Sequence, residues 1–295
     1  MTSTTAGGAA AELDFKRADY TIRGLPADSW PYNASAPKPL DGKEIYDEEG
    51  VSVRVINGRR YNHPVLQAQF MLTRLSSYRH NHDPAYLTRV EAHAKRLATT
   101  AVHSRGALYL PYPFEWPLHG DQSNVMKPPW FSAMAQGQAL SAFVRLYEVT
   151  GKQQYREIAD GLFASFKNLK RPGVPWTVDV DDRGYLWFEE YAKEPGADRA
   201  FNGHVFATYG LYDYYRLTRD AQVERLMQGG LTAAAEYMWH IRQPGQASRY
   251  CLTHHHSYPQ YHAVHVEQLA MMFAMTAAPE FDRARDAFTA DFPRK

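Results

Sequence analysis

A single cysteine, Cys251, stands in 295 residues, so no internal disulfide framework holds this chain, and a reducing compartment suits it. No stretch approaches the roughly 18 consecutive apolar residues of a membrane-spanning helix. Neither sign of charge prevails: 33 Lys and Arg face 32 Asp and Glu, a formal net charge of +1. A global field that would hold nucleic acid or a membrane surface is thereby excluded, and any acidic ligand has to be met locally. Residues 1–13 are rich in Ser, Thr, Ala and Gly, with neither a basic start nor an apolar segment, so they do not read as a secretion signal and a cytoplasmic chain is expected. No Gly-rich loop of the kind that cradles a dinucleotide or a phosphate occurs, and no cofactor is expected.

What the chain does have is aromatic residues, 20 Tyr and 6 Trp among them, many in segments that otherwise look like loops. Aromatic loops suit stacking on sugar rings, although the same residues also build cores. The apolar fraction of 44% is ordinary for a globular protein and suffices for a sizeable core.

Residues 1–60 read as an irregular, Pro-punctuated N-terminal arm ending in a short β-hairpin, with Val51, Val53 and Val55 alternating and Asn57-Gly58 as its two-residue turn. From there the chain repeats itself. Small-residue and apolar helical segments begin near His63, Ser132, Phe201 and His262, separated by 69, 69 and 61 residues, and Gln67 and Gln69 recur as Gln136 and Gln138. More charged, amphipathic helices follow over 85–101, 153–169, 221–238 and 278–292. An inner helix surrounded on all sides alternating with an outer helix that has a wet face describes an all-α fold, an (α/α) toroid or barrel of four helical hairpins over 61–295. Three long connectors, 103–130, 170–200 and 240–261, each lead from an outer helix to the next inner one, so they emerge at one rim and carry most of the loop aromatics. The second reads as a hairpin from Trp176 through the Gly184 turn to Tyr191.

Three segments then raise a family resemblance. Pro129-Trp130-Phe131-Ser132-Ala133-Met134-Ala135-Gln136-Gly137-Gln138-Ala139, then Trp187-Phe188-Glu189-Glu190-Tyr191 with Asn202-Gly203 and Gly210-Leu211-Tyr212-Asp213, then Tyr261-His262 with His265, Gln268 and Leu269, come in the order of the matching motifs of the heparosan/heparan sulfate D-glucuronyl C5-epimerases. The chain resembles the catalytic, C-terminal domain of that family over about residues 61–292.

The resemblance implies an isomerase that removes the C5 proton of a D-glucuronosyl unit and returns one on the opposite face, leaving L-iduronate. It implies Glu190 and Tyr261 as the two acid/base groups, with Tyr191 and Tyr250 as hydrogen-bond donors to the uronate carboxylate. Structural aromatics lining the connectors, and an exposed strand end for the glutamates, are the plainer readings of the same residues. A caution comes from strand geometry, since adjacent residues of a regular strand face opposite sides, and Glu190 and Tyr191 can share a ligand only if the strand breaks there. Candidate substrate contacts are Gln69, Gln136 and Gln138 on inner helices, Asn202 at the mouth of the third one, Trp187, Arg249, His254, His262 and His265. For the glutamines, interhelical hydrogen bonding is an equal alternative; Asn202 is also an N-cap by position.

One departure is informative. The family carries an arginine three residues after the tyrosine matched by Tyr250, where this chain has Thr253; Arg249 or His254 and its neighbours are the substitutes within reach. The His254-His255-His256 run with His262 and His265 also invites a metal, but no Cys or clearly placed carboxylate completes a ligand set, and no metal is expected. The partner expected is an acidic, uronate-containing polysaccharide, with no nucleic acid and no membrane; the oligomeric state stays open, a homodimer included. Two rival functions remain: a uronate polysaccharide lyase on a similar fold, and a glycan-binding protein that has lost catalysis.

Overall fold

Four two-residue links turn an inner helix into the outer helix that follows, and all four share one backbone form. In the computed structural model, which describes residues 13–293, the pairs are α1 (Pro64–Asn81) with α2 (Pro84–Thr100), α3 (Ala133–Thr150) with α4 (Gln153–Ser165), α5 (Phe201–Thr218) with α6 (Ala221–Ile241), and α7 (Pro259–Thr276) with α8 (Pro279–Asp291). The first link residue, in turn His82, Gly151, Arg219 and Ala277, is left-handed at φ 55°, 67°, 55° and 56°, and its N–H returns to the carbonyl four residues back. That contact satisfies a carbonyl which the helix end would leave bare. Asp83 and Asp220 then cap α2 and α6 by accepting from their first-turn N–H groups.

The architecture is the expected (α/α) toroid of four hairpins. Inner helix α1 packs on α3, α3 on α5 and α5 on α7, and each outer helix leans on its own inner partner. Among the described residues no comparable interface joins α7 back to α1, so the inner helices form one arc. At its centre α3 and α5 cross on bare backbone. A Cβ on Gly137 would stand 2.5 Å from the Ala207 Cα, and one on Gly210 would stand 2.4 Å from the Gly137 carbonyl oxygen. Backbone cannot swing aside as a side chain can, so glycine at both positions is what lets the two most enclosed helices touch. No helix among the described residues is long and apolar enough to cross a membrane.

Short antiparallel strands decorate this frame: β1 (Ile45–Tyr46), β2 (Ser52–Ile56) and β3 (Arg59–Tyr61) in one sheet, then the pairs β4 (Val102–Ser104) with β5 (Ala107–Tyr109), β6 (Trp116–Pro117) with β7 (Val125–Met126), and β8 (Val178–Val180) with β9 (Leu186–Phe188). The turn between β2 and β3 has Asn57 at φ 50° and Gly58 at φ 75°, the two left-handed residues that a two-residue hairpin needs.

Residues 13–44 hold no regular strand or α-helix, yet they run a defined course under the C-terminal half of the inner helices. Arg23 N donates to Met275 O of α7 (2.8 Å), Leu25 N to Tyr212 Oη of α5 (2.9 Å), and Ala34 N to Ser76 Oγ of α1 (2.9 Å). From α3, Arg145 donates to Pro31 O (2.7 Å) while it pairs with the buried Asp213 of α5 (2.8 Å). The Tyr32 ring stacks on Phe206 at 5.7 Å. This strap closes one end of the arc; the three connectors, which enter the inner helices at their N-termini, crowd the other.

Candidate active site

Strand pairing in the second connector stops at Phe188, and the two glutamates that follow part company. Glu189, fully buried, takes Arg199 Nη1 at 2.6 Å, and Arg199 reaches on to Asp179 at 3.0 Å. Burial pushes Glu189 up to about 7 while Arg199 pulls against it; the pair ties the hairpin to the segment before α5. Glu190 turns the other way and lies on the first turn of α5. A Cβ on Gly203 would sit 2.4 Å from Glu190 Oε2 and 2.5 Å from its Cβ, so only glycine leaves room for this carboxyl.

Glu190 is 8% exposed, and burial raises its pKa to about 7 against the pull of the nearby Tyr250, Tyr191 and Asn202 side chains. The positive end of α5 favours the anion as well, but losing water costs the charge more than these neighbours return. Oε2 and both amide atoms of Asn202 are buried without hydrogen-bond partners among the described residues. We expect Gly203→Ala to destabilise the fold by about 1–3 kcal/mol, the usual cost of forcing a methyl group into a filled site. Urea unfolding measures it. An alanine variant as stable as the parent would mean that the Glu190 side chain swings clear without resistance.

Three tyrosines from two connectors and the start of α7 converge over this carboxyl. Tyr191 Oη stands 3.2 Å from Tyr250 Oη, and the Tyr261 ring meets the Tyr250 ring edge-on, centroids 4.6 Å apart. Backbone contacts set Tyr250: its N donates to His256 O (2.6 Å) and its carbonyl accepts from Phe201 N (3.1 Å). With Trp116, His119 and Tyr258 they line a cavity of about 250 Å³, room for one sugar ring. Burial, then the charge of Glu190, raises the pKa of all three phenols above its usual value, so they are neutral hydrogen-bond donors at physiological pH. A larger cavity of about 930 Å³ lies between the strap and α6, around Tyr20, Gln222 and Arg225, and shares no residue with the first. Chemistry, not volume, separates the two, since among the described residues the phenol cluster lines the smaller one, with Glu190 buried behind the tyrosines.

Residues 107–290 match the family described as "D-glucuronyl C5-epimerase C-terminus". The chain belongs to this family. Against the D-glucuronyl C5-epimerase of Caenorhabditis elegans it is 32% identical over 97 residues, a stretch that spans 33% of this chain and 15% of that protein. Solved structures of similar fold include a cellobiose 2-epimerase from Bacillus thermoamylovorans (TM-score 0.59, 12% identity, 83% of this chain and 65% of that one). An unsaturated glucuronyl hydrolase from Streptococcus agalactiae is also similar (TM-score 0.50, 18% identity, 77% of this chain and 56% of that one). At these identities the likeness is one of fold alone.

In this C5-epimerase family member several sequence-level candidates lie elsewhere than expected. Trp187 is fully buried, its indole N–H 3.2 Å from Asp181 Oδ2 and its ring packed on His204 and Tyr237, behind the hairpin and out of reach of a ligand. Gln136 is saturated by Leu110 N (2.9 Å), Leu108 O (2.7 Å) and Ser165 Oγ (2.9 Å), so it stitches β5 and α4 to α3. Gln138 is buried beside Tyr32 of the strap, at the closed end of the arc. Gln69 is exposed on α1.

His262 joins Ser248 N (2.9 Å) to Phe288 O (2.9 Å), and the fully buried His265, pushed down to about 3 by burial, contacts Ser248 Oγ at 2.8 Å. Both histidines brace the third connector from behind Tyr250. The N-cap of α5 is Ala200, not Asn202, whose side chain is left for Glu190. Arg249 pairs by backbone with Ser257 and does not line the cavity. Thr253 is exposed and donates to Ala197 O at 2.7 Å. Among the described residues no arginine lines the cavity wall.

The residue that sequence reasoning missed is His119. It lies in the first connector at φ 55°, lines the cavity, and holds Asp198 at 3.0 Å. His254, one of the candidates, meets the same Asp198 oxygen at 2.5 Å. Nothing in the spacing of 119, 198 and 254 announces that meeting.

Proposed function

We propose that the protein epimerises C5 of D-glucuronosyl units in a heparosan-like polysaccharide, without a redox cofactor, with residues 61–295 as the catalytic unit and 1–60 as its arm. One observation carries the reading: a carboxyl with its pKa raised to about 7 adjoins the neutral phenols that line one ring-sized cavity. An acid/base group works best when its pKa lies near the working pH, which Glu190 meets and an unperturbed carboxyl does not.

The division of labour follows from the charges. Ionised Glu190 takes the C5 proton, leaving a carbanion delocalised into the uronate carboxylate. Tyr191 and Tyr250 donate hydrogen bonds to the oxygens where that charge collects. Tyr261, neutral in the resting state, gives its proton to C5 on the opposite face and becomes phenolate. Glu190 is then protonated, and exchange with solvent resets both groups. The reverse reaction runs through the same two groups with the roles exchanged. Beyond Tyr191 a second cavity of about 490 Å³, lined by Trp130, Trp176, Lys127 and Lys193 among others, offers aromatic and basic groups to neighbouring units of an acidic chain.

Incubation with heparosan in deuterium oxide, read by NMR, tests the assignment. Deuterium at C5 together with iduronate signals is the expected result. A new unsaturated uronate signal instead would make the protein a lyase, expelling the C4 oxygen after the same proton abstraction. Binding of heparosan with neither change would leave a glycan-binding protein.

A further inference from the structure

Asp198 holds the three rim connectors at one point. Its Oδ1 lies 3.0 Å from His119 Nε2 of the first connector and 2.5 Å from His254 Nδ1 of the third. Cys251 Sγ stands 3.7 Å from that His119 nitrogen and 4.0 Å from that His254 nitrogen. One ligand atom from each of the four residues lies within 4.8 Å of every other. Asp198 is 2% exposed, and its second oxygen, Oδ2, is buried without a hydrogen-bond partner among the described residues. Both imidazole contacts fall on Oδ1, so one buried carboxylate oxygen in this nest of two imidazoles and a thiol is left with unused binding capacity.

We propose that His119, Asp198, Cys251 and His254 form a zinc site that pins the three connectors together at the edge of the sugar pocket. Zinc takes nitrogen, sulfur and carboxylate oxygen in tetrahedral sets, and bonds of about 2.0–2.3 Å set the ligand atoms about 3.3–3.6 Å apart. The distances here bracket that spacing, so shifts of a few tenths of an ångström to about an ångström complete the shell. A thiolate with two imidazoles selects zinc over the hard cations, magnesium and calcium. Supports outside the shell are in place: His119 Nδ1 faces Tyr258 Oη at 3.5 Å, and His254 Nε2 faces the Asn124 amide at 3.2 Å. The His254 side chain is 31% exposed, which leaves an entry path, while Cys251 is fully enclosed.

The residues come from all three connectors, so the metal would act as a clasp for the rim and for Tyr250, the neighbour of Cys251, whatever reaction the pocket performs. The sequence offers His254 without a visible ligand set; the fold brings His119, the thiol and the carboxylate to it.

The test is a zinc titration of the tag-free, chelator-treated full chain in competition with a chromophoric chelator of micromolar affinity. Cobalt(II) substitution and thermal unfolding serve as second readouts. The expected result is one zinc per chain, a higher melting temperature on adding zinc, and with cobalt a tetrahedral visible spectrum carrying a thiolate-to-metal band. Cys251→Ser should lose that band and bind zinc at least about tenfold more weakly, because a hydroxyl is a far poorer ligand than a thiolate. Should the serine variant fail to fold, His254→Ala, at the exposed edge, gives the same comparison. Failure of the parent protein to take zinc from the chelator, or equal zinc binding by the parent and a folded variant, would overturn the proposal and leave a hydrogen-bonded His-Asp-His cluster only.

Discussion

Glu190→Gln should slow C5 exchange by the roughly 10²- to 10⁴-fold that losing an acid/base group costs, and should at the same time make the protein more stable above neutral pH. The second half follows from burial. Below about pH 4.5, the ordinary value for Glu, the carboxyl is neutral in the folded and the unfolded chain alike. Between there and about 7, the unfolded chain gives up this proton while the folded one keeps it, so stability falls as pH rises. Above about 7 both forms are ionised and the loss stays constant, at roughly 3–4 kcal/mol for a shift of this size. Glutamine keeps the shape and the place beside Gly203 but carries no charge, so its stability curve should lack that fall. Urea unfolding of both proteins at pH 5 and pH 8 gives the comparison, with the contribution of Glu189 common to both. If the two pH profiles run parallel, Glu190 is not a buried, shifted carboxyl, and its candidacy as the base goes with it.

Tyr261→Phe separates proton removal from inversion. The ring and its edge contact with Tyr250 remain, and among the described residues no side-chain hydrogen bond of Tyr261 Oη would be lost. Stability should therefore stay within about 0.5 kcal/mol. Without the phenol no proton is delivered to the opposite face, and iduronate formation should drop by about 10²- to 10⁴-fold. Glu190 can still take and return a proton on its own face. Deuterium should then enter C5 with retention, faster than iduronate forms. A folded variant that inverts at the parent rate would remove Tyr261 from the mechanism, and one that loses exchange and inversion equally would make Tyr261 the base.

The helical hairpins were legible because their cause is local. Inner helices crowded with small and apolar residues, spaced 69, 69 and 61 apart, can only be surrounded helices, and the chain folds them so from residue 64 onward. The shared rim also follows from connectivity alone. Side-chain direction was harder to read. Gln136 and Gln138 are two positions apart on one helix, about 200° around the axis, so a motif that contains both cannot send both into one cavity. One knits β5 to α3 and the other lies under Tyr32. Trp187 and Glu189 share the hairpin face that turns from the pocket and Glu190 faces the other way, as alternation along a strand dictates; pairing stops at Phe188, ahead of Glu190 and Tyr191, where a break is the condition for those two to share a ligand. Strands β4 to β7, two or three residues each, are too short for any period to show. His119 was invisible for a different reason: its role depends on how the tips of separate connectors meet, and no spacing encodes that.

The strap under the inner helices has a consequence for how the molecule is made. Residues 16–25 leave the ribosome more than two hundred residues ahead of the partners that hold several of them: Ala18 N bonds to Thr232 Oγ1, Tyr20 N to Gln228 Oε1, and Arg23 N to Met275 O. Early hairpins can form as they emerge, since their contacts are nearest neighbours, but the strap has no complete seat until α7 exists. Contacts this distant in sequence pay their loop-closure entropy before any reward. Docking of residues 16–25 thus becomes a late step of folding, completed only after most of the chain has been synthesised, whereas residues 31–38 can seat on α1 and α3 as soon as those helices exist.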